Sequence, residues 1–413
     1  MVEPTLVGPN HVELIATQQA ECETKCEAQA TATNYPTLGE IFRRYGPAYL
    51  AKFGGKMSQD QHRALQMIQR CRTGKLGSVR YYCSVCDQHH WVLRSCGNRH
   101  CPACQSHKAK DWLEAQTKKL LPCEYFMLTF TVPSKLRRVI RSHPRECLPV
   151  LFEAARDTLR ELASNPKYIG SDRLGMTGVL HTWGRTMTSH PHTHFIVPGG
   201  ALSKDGTAWH SRDEKFLVPV KAASVMFRAK FSDAMKACGL HDKIPPEVWK
   251  TKWVVHCKAV GDGSKALRYL AAYVYRVAIT DRRIVKVTPR SSEHDSLLDM
   301  VTYQYRPGGS KQYKTLKVTV EEFIRRFLQH VLPRGLQKVR HYGFLHSGSR
   351  TDYELLAWIV TVSRNLVYVL SFCQQLQKTK SRPKCPTCGT ELSPGVFEPY
   401  QPIPMQRMNI DTS

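Results

Sequence analysis

The sequence predicts an α+β fold: a largely antiparallel sheet with packed helices, preceded by a small helical, cysteine-rich module. Three observations predict it. β-rich runs at 125–132, 177–183 and 192–197 alternate irregularly with amphipathic stretches, unlike the strict βαβ order of a doubly wound sheet. The turn-rich segment 186–191 joins two of these runs closely enough for an antiparallel hairpin. Upstream, a Cys/His-dense stretch from Cys83 to His107 follows two short helical patterns.

Taken in order, residues 1–36 are polar and lack periodicity, which predicts a mobile lead-in. Apolar residues at helical spacing predict helices over 37–53 and 58–72, the second starting at Ser58 with Gln61 in its first turn. The Cys/His stretch and a basic helix over 108–121 close a first unit, 37–121. A strand stopped by Pro133, a helix over 147–163, the hairpin, a helix over 221–237, a strand over 253–257 and a helix over 264–277 build the main unit, 122–335. Within it, 301–306 and 312–318 flank Pro307-Gly-Gly309 as a second hairpin. Thr319-x-x-Glu322 then opens a helix that ends by Pro333. Residues 336–413 form a basic C-terminal region with a helical stretch over 355–377 and a CxxC pair.

Charge narrows the class of partner. Among 413 residues, Lys and Arg number 60 against 34 Asp and Glu, a net +26 that favours a polyanion such as nucleic acid. The first 36 residues carry five Glu against one Lys, so the basic excess belongs to the folded part. No apolar run of membrane-spanning length and no signal-peptide pattern occurs, which predicts a cytoplasmic protein with no membrane partner. GxGxxG after a strand, GxxxxGK[ST] and HExxH are also missing, against dinucleotide, phosphate-loop and common metalloprotease chemistries. The 15 cysteines are odd in number and clustered, favouring metal thiolates over disulfides.

Cys83-Ser-Val-Cys86 and Cys101-Pro-Ala-Cys104 are spaced as in four-cysteine zinc ribbons, so these four are the expected ligands of a structural Zn²⁺. Arg94, Arg99, Lys108 and Lys110 lie nearby as expected DNA phosphate contacts. Cys96 and His100 are alternative ligands. A third knuckle, Cys385-Pro-Thr-Cys388, has no evident partner pair, Cys373 being one candidate third ligand.

His190-Pro-His192-Thr-His194 leads into an apolar strand, where alternate residues share a face, so His192 and His194 can share one divalent ion. Pro191 is expected to bend the chain beside His190. His181, on the preceding strand, and His190 are candidates for a third ligand. Tyr269-Leu-Ala-Ala-Tyr273 puts two phenols at i and i+4 on one helix face, with Tyr275 turned away from it. Beside a metal that polarises phosphate, such phenols are candidate nucleophiles.

In this order these motifs resemble transposases of the insertion-sequence 91 family, rolling-circle elements among the HUH (His-hydrophobic-His) endonucleases. The resemblance also includes Cys96-Gly-Asn-Arg-His-Cys101-Pro, His181-Thr-Trp-Gly184, Val197-Pro-Gly-Gly200, the run from Phe323 through Gly335, and His341-Tyr-Gly-Phe344. It implies an HUH-type sheet behind a zinc-binding module. It also implies a nickase for single-stranded element ends and target DNA, using Mg²⁺ or Mn²⁺ on His192 and His194. Tyr269 and Tyr273 would form 5′-phosphotyrosine links in a bacterial, nucleoid-associated transposase. Thr193 stands where the family has a hydrophobic residue, and its β-branch still suits a strand. The alternatives are a rolling-circle replication initiator or relaxase, or a non-catalytic zinc-dependent nucleic-acid-binding regulator; a tyrosine-linked DNA adduct separates the last from the others.

Overall fold

In the computed structural model, residues 36–211, 215–275, 278–290, 295–366 and 382–399 are described. Thr37 and Ser58 open helices α1 (Leu38–Phe53) and α2 (Gln59–Arg70) with full capping boxes, completed by Glu40 and Gln61. A β1 (Ser78–Cys83)–β2 (Gln88–Leu93) hairpin follows, and helix α3 (Ser106–Thr117) leads out of the cysteine-rich region.

The main sheet takes β3 (Tyr125–Thr131), β4 (Met176–Trp183), β5 (Ser189–Pro198), β8 (Val254–Ala259) and β12 (Val339–Tyr342), in the order β12-β4-β5-β3-β8. Every neighbouring pair is antiparallel. Helices α4 (Pro144–Ser164) and α5 (Val220–Ala237) cover one face over a core that includes Phe130, Phe152, Phe195, Phe227 and Trp253. Against the other face lies α6 (Ser264–Val274), whose Leu267, Leu270 and Val274 cluster with Val179 and Ile196. Trp112 and Leu113 of α3 pack on the same cluster. A two-stranded ribbon, β6 (Ala201–Leu202) with β7 (Trp209–His210), flanks the sheet.

A second sheet, β11 (Lys314–Thr319)-β10 (Met300–Tyr305)-β9 (Ile284–Thr288), shares a core with α1 and α7 (Val320–Leu328), where Phe42 and Phe327 meet edge-on at 5.3 Å. The third sheet, β13 (Val396–Glu398)-β1-β2, brings a late strand back onto the early β1–β2 hairpin. Helix α8 (Tyr353–Ser363) adds Leu356, Ile359 and Val360 to the α6 side. No helix among the described residues is long and apolar enough to cross a membrane.

The mixed fold with antiparallel sheets agrees with the sequence reading; several details correct it. The boundary expected at 335 falls inside the architecture, because β12 is an edge strand of the main sheet and β13 belongs to the first hairpin. β5 runs through Pro191, and a register shift between His181 and Trp183 absorbs the proline. The second hairpin gains a third strand, β9. Of the helix expected over 355–377, Tyr353–Ser363 is helical and 367–381 lie outside the described residues, as do 1–35.

Gly343, within the His341–Phe344 motif, sits at φ +60° with the Leu174 carbonyl oxygen 1.6 Å from where a Cβ would stand. Gly343→Ala is therefore expected to cost about 3 kcal/mol or more, combining left-handed strain with a displaced backbone. Thermal melting, lowered by about 5 °C or more, is the check.

Candidate active site

The β4–β5 register sets His181 opposite His192, and Val179 opposite His194, so all three imidazoles share the face covered by α6. Their ring centroids lie 4.6 to 5.1 Å apart, and one nitrogen from each falls within 4.8 Å of the others. His192 Nδ1–H donates to the His190 carbonyl at 2.7 Å, which leaves the lone pair on Nε2. His194 Nδ1 bonds the Thr129 hydroxyl at 2.9 Å. His181 Nε2 is buried with no hydrogen-bond partner. An orphaned imidazole nitrogen beside two pre-oriented imidazoles fits a divalent cation.

Burial is the first cause holding all three neutral: His181 well below the ordinary histidine value, His192 at about 4 and His194 at about 3. Neutral imidazole is the metal-binding form. His190, the other candidate third ligand, turns instead to the Arg137 guanidinium at 2.9 Å.

Helix α6 delivers the tyrosines to this cluster. The Tyr273 ring lies 4.5 Å from His181, Tyr269 lies 6.2 Å from His194, and the two phenols are 4.8 Å apart. Tyr269 is 45% exposed, leaving it open to a ligand from solvent. Burial, then the neighbouring Tyr273, raises its phenol above the ordinary tyrosine value, while Arg185 opposes the rise. Sequence reasoning missed Lys338. Its ammonium donates to the Tyr273 carbonyl at 2.8 Å, lies 4.6 Å from the Trp183 ring centroid, and is lowered by burial to about 7. Trp183 in turn stacks on His181. Lys338 thus fastens the end of the tyrosine helix to the histidine hairpin, a link between residues too far apart in sequence to show a motif.

The cysteines group differently from the expected set. Cys83 and Cys86 do not share a cluster with Cys101 and Cys104. Cys101 and Cys104 join Cys71 and Cys96, whereas Cys83 and Cys86 face Cys385 and Cys388. The cause is topological: Cys71 leaves α2 beside Cys101 and Cys104, and β13 carries the third knuckle to the first. In the first group the sulfur separations are 3.5 Å for Cys71–Cys104, 3.6 Å for Cys96–Cys104 and 3.7 Å for Cys71–Cys101. A tetrahedral zinc with bonds of about 2.3 Å needs edges of about 3.8 Å. The cluster joins the α1–α7 core, as befits a closed structural site. Six cysteines between positions 71 and 104, two more than one tetrahedron needs, were the missed signal.

Lys108 and Lys110 are exposed on α3, and the Arg94 guanidinium lies 4.8 Å from the Phe397 ring centroid. Arg99 departs from its expected role as a phosphate contact: it donates to the carbonyls of Leu332, Pro333 and Leu336 at 2.6 to 2.9 Å. His100 is buried and accepts from the Leu332 amide rather than joining a cluster.

Comparison with known proteins agrees with this layout. Residues 41–132 match the transposase zinc-binding domain family, and residues 175–352 match the "Putative transposase" family. A curated protein of Sinorhizobium fredii, "Putative transposase y4qJ", is 35% identical over 345 residues, covering 79% of this chain and 84% of that protein. The transposase for insertion sequence element IS801 of Pseudomonas savastanoi pv. phaseolicola is 25% identical over 323 residues, 72% of this chain and 73% of its own. No solved structure matches. With the relative's coverage and the two matched domains in chain order, the chain belongs to the insertion-sequence 91 family of transposases.

Proposed function

We propose that this transposase nicks and rejoins single-stranded DNA at element ends and target through a 5′-phosphotyrosine link, moving its element by a rolling-circle route. The observation that carries the reading is the seating of two phenols, Tyr269 and Tyr273, directly over three converging neutral imidazoles.

His181, His192 and His194 would hold Mg²⁺ or Mn²⁺, whose charge, when bound, polarises the scissile phosphate. Tyr269 or Tyr273 then attacks phosphorus in line. One P–O bond forms as the bond to the 3′-oxygen breaks, and the proton lost by the phenol balances the one gained by the leaving 3′-alkoxide. The exchange of one phosphodiester for another conserves the bond energy needed for rejoining. Lys338 positions the helix end that carries Tyr273. A second tyrosine lets a second strand be cut while the first link persists. Exposed Arg94, Lys108 and Lys110 contribute charge for the phosphate backbone. A Zn²⁺ on Cys71, Cys96, Cys101 and Cys104 would knit the first two helices to the α7 side of the core.

The test incubates purified protein with Mg²⁺ or Mn²⁺ and single-stranded DNA spanning each element end. A denaturing gel and peptide mass spectrometry are expected to find DNA covalently on Tyr269 or Tyr273. Binding without cutting under either metal would leave a zinc-dependent DNA-binding protein as the better reading.

A further inference from the structure

We propose that Cys83, Cys86, Cys385 and Cys388 bind a second structural Zn²⁺, separate from the Cys71 cluster, that fastens the C-terminal strand onto the first hairpin. Residues 385 and 388 lie beyond both matched family domains.

The sulfur geometry comes first. Cys83 and Cys388 are 3.5 Å apart, Cys86 and Cys385 3.9 Å, and all four ligand atoms lie within 4.8 Å of one another. These separations far exceed a disulfide bond of about 2.05 Å. They match the edges, about 3.8 Å, of a tetrahedral zinc tetrathiolate.

The two pairs are also built alike. In each, the residue after the second cysteine is left-handed: Asp87 at φ +51° and Gly389 at φ +74°. Each chain therefore turns sharply past its own cysteine pair, and the turns face each other. The approach is held by antiparallel pairing of Ser78, Val79 and Arg80 with Glu398, Phe397 and Val396. Arg80 and Trp91 both donate to the Glu398 carboxylate, at 2.6 and 2.8 Å.

Two further observations point to a metal. His90 is buried with Nε2 3.4 Å from the Cys385 sulfur, while its Nδ1 has no partner. In the tautomer that carries its proton on Nε2, His90 donates to this sulfur and suits a thiolate, the state a metal ligand must adopt. The local core is also too small to hold this module unaided. Its buried residues are Cys83, Cys385 and Leu392, with Tyr81 and Cys86 packed alongside. A hairpin and a remote strand resting on so little apolar surface need a staple.

Metal analysis of the purified full-length protein tests the site independently of DNA cleavage. Cys385→Ser/Cys388→Ser is expected to lose one zinc equivalent relative to the parent. Cys71→Ser/Cys101→Ser is expected to lose a different one, and the four-fold variant both. Alkylation of the parent protein covers the case in which a variant fails to fold. Cys388 and Cys238 are both exposed, yet Cys388 is expected to react far more slowly than Cys238 until a chelator is added. Full zinc content in the Cys385/Cys388 variant, iron in place of zinc, or equal alkylation of Cys388 and Cys238 before chelation would each overturn the proposal.

Discussion

Replacing His192 and His194 together by Ala is expected to abolish DNA cleavage, by about 10³-fold or more, while leaving DNA binding largely intact. The magnitude follows from loss of the several kcal/mol of transition-state charge stabilisation that a bound divalent ion provides, at about 1.4 kcal/mol per decade of rate. Both side chains project from one face of β5 toward α6, and their Nδ1 atoms are already engaged by the His190 carbonyl and the Thr129 hydroxyl. Neither contributes charge to the binding surface, since burial keeps both neutral. Adduct yield against time, alongside a filter-binding isotherm on the same oligonucleotide, separates the two effects. A double variant that still cuts at near-parent rate would remove this hairpin from the reaction.

Tyr269→Phe/Tyr273→Phe is expected to leave no covalent DNA on the protein at any incubation time. The substitution deletes two hydroxyls and keeps both rings, so packing against His181 and His194 survives and little stability is lost. Single variants carry more information. Tyr269 is the more exposed and Tyr273 lies closer to the histidines, so each phenol meets DNA from a different depth. Each single variant is expected to keep one adduct, mapped to the remaining tyrosine, and to stop short of complete strand exchange. An adduct on a third residue in the double variant would refute the assignment.

Short-range physics made much of this molecule legible. The capping residues Thr37 and Ser58 mark helix starts through side chains three residues away, and the period of two along His192-Thr-His194 places both imidazoles on one face. The four-residue spacing likewise puts Tyr269 and Tyr273 together. What stayed hidden depends on contacts between distant segments. CxxC spacing shows which cysteines form a pair, but the partner pair is chosen by strand pairing, here β1 with β13. Cys71 stands alone in sequence and acquires neighbours only when α2 docks beside Cys101. Arg99 reads as a phosphate contact until its guanidinium meets three carbonyls more than 230 residues away. β12 is four residues long, with no alternation strong enough to announce an edge strand.

The pairing of β1 with β13 also bears on how the protein is made. Arg80 meets Glu398 across 318 positions of chain, so a ribosome emits the first hairpin long before the strand that completes it. During translation the β1 edge stands open, and its Cys83 and Cys86 thiols wait without the Cys385 pair. The first sheet is therefore completed only after β13 has been made. A product that stops before β13 can form the histidine hairpin and the tyrosine helix yet lacks a completed first sheet, because only β13 supplies the partner for Ser78, Val79 and Arg80.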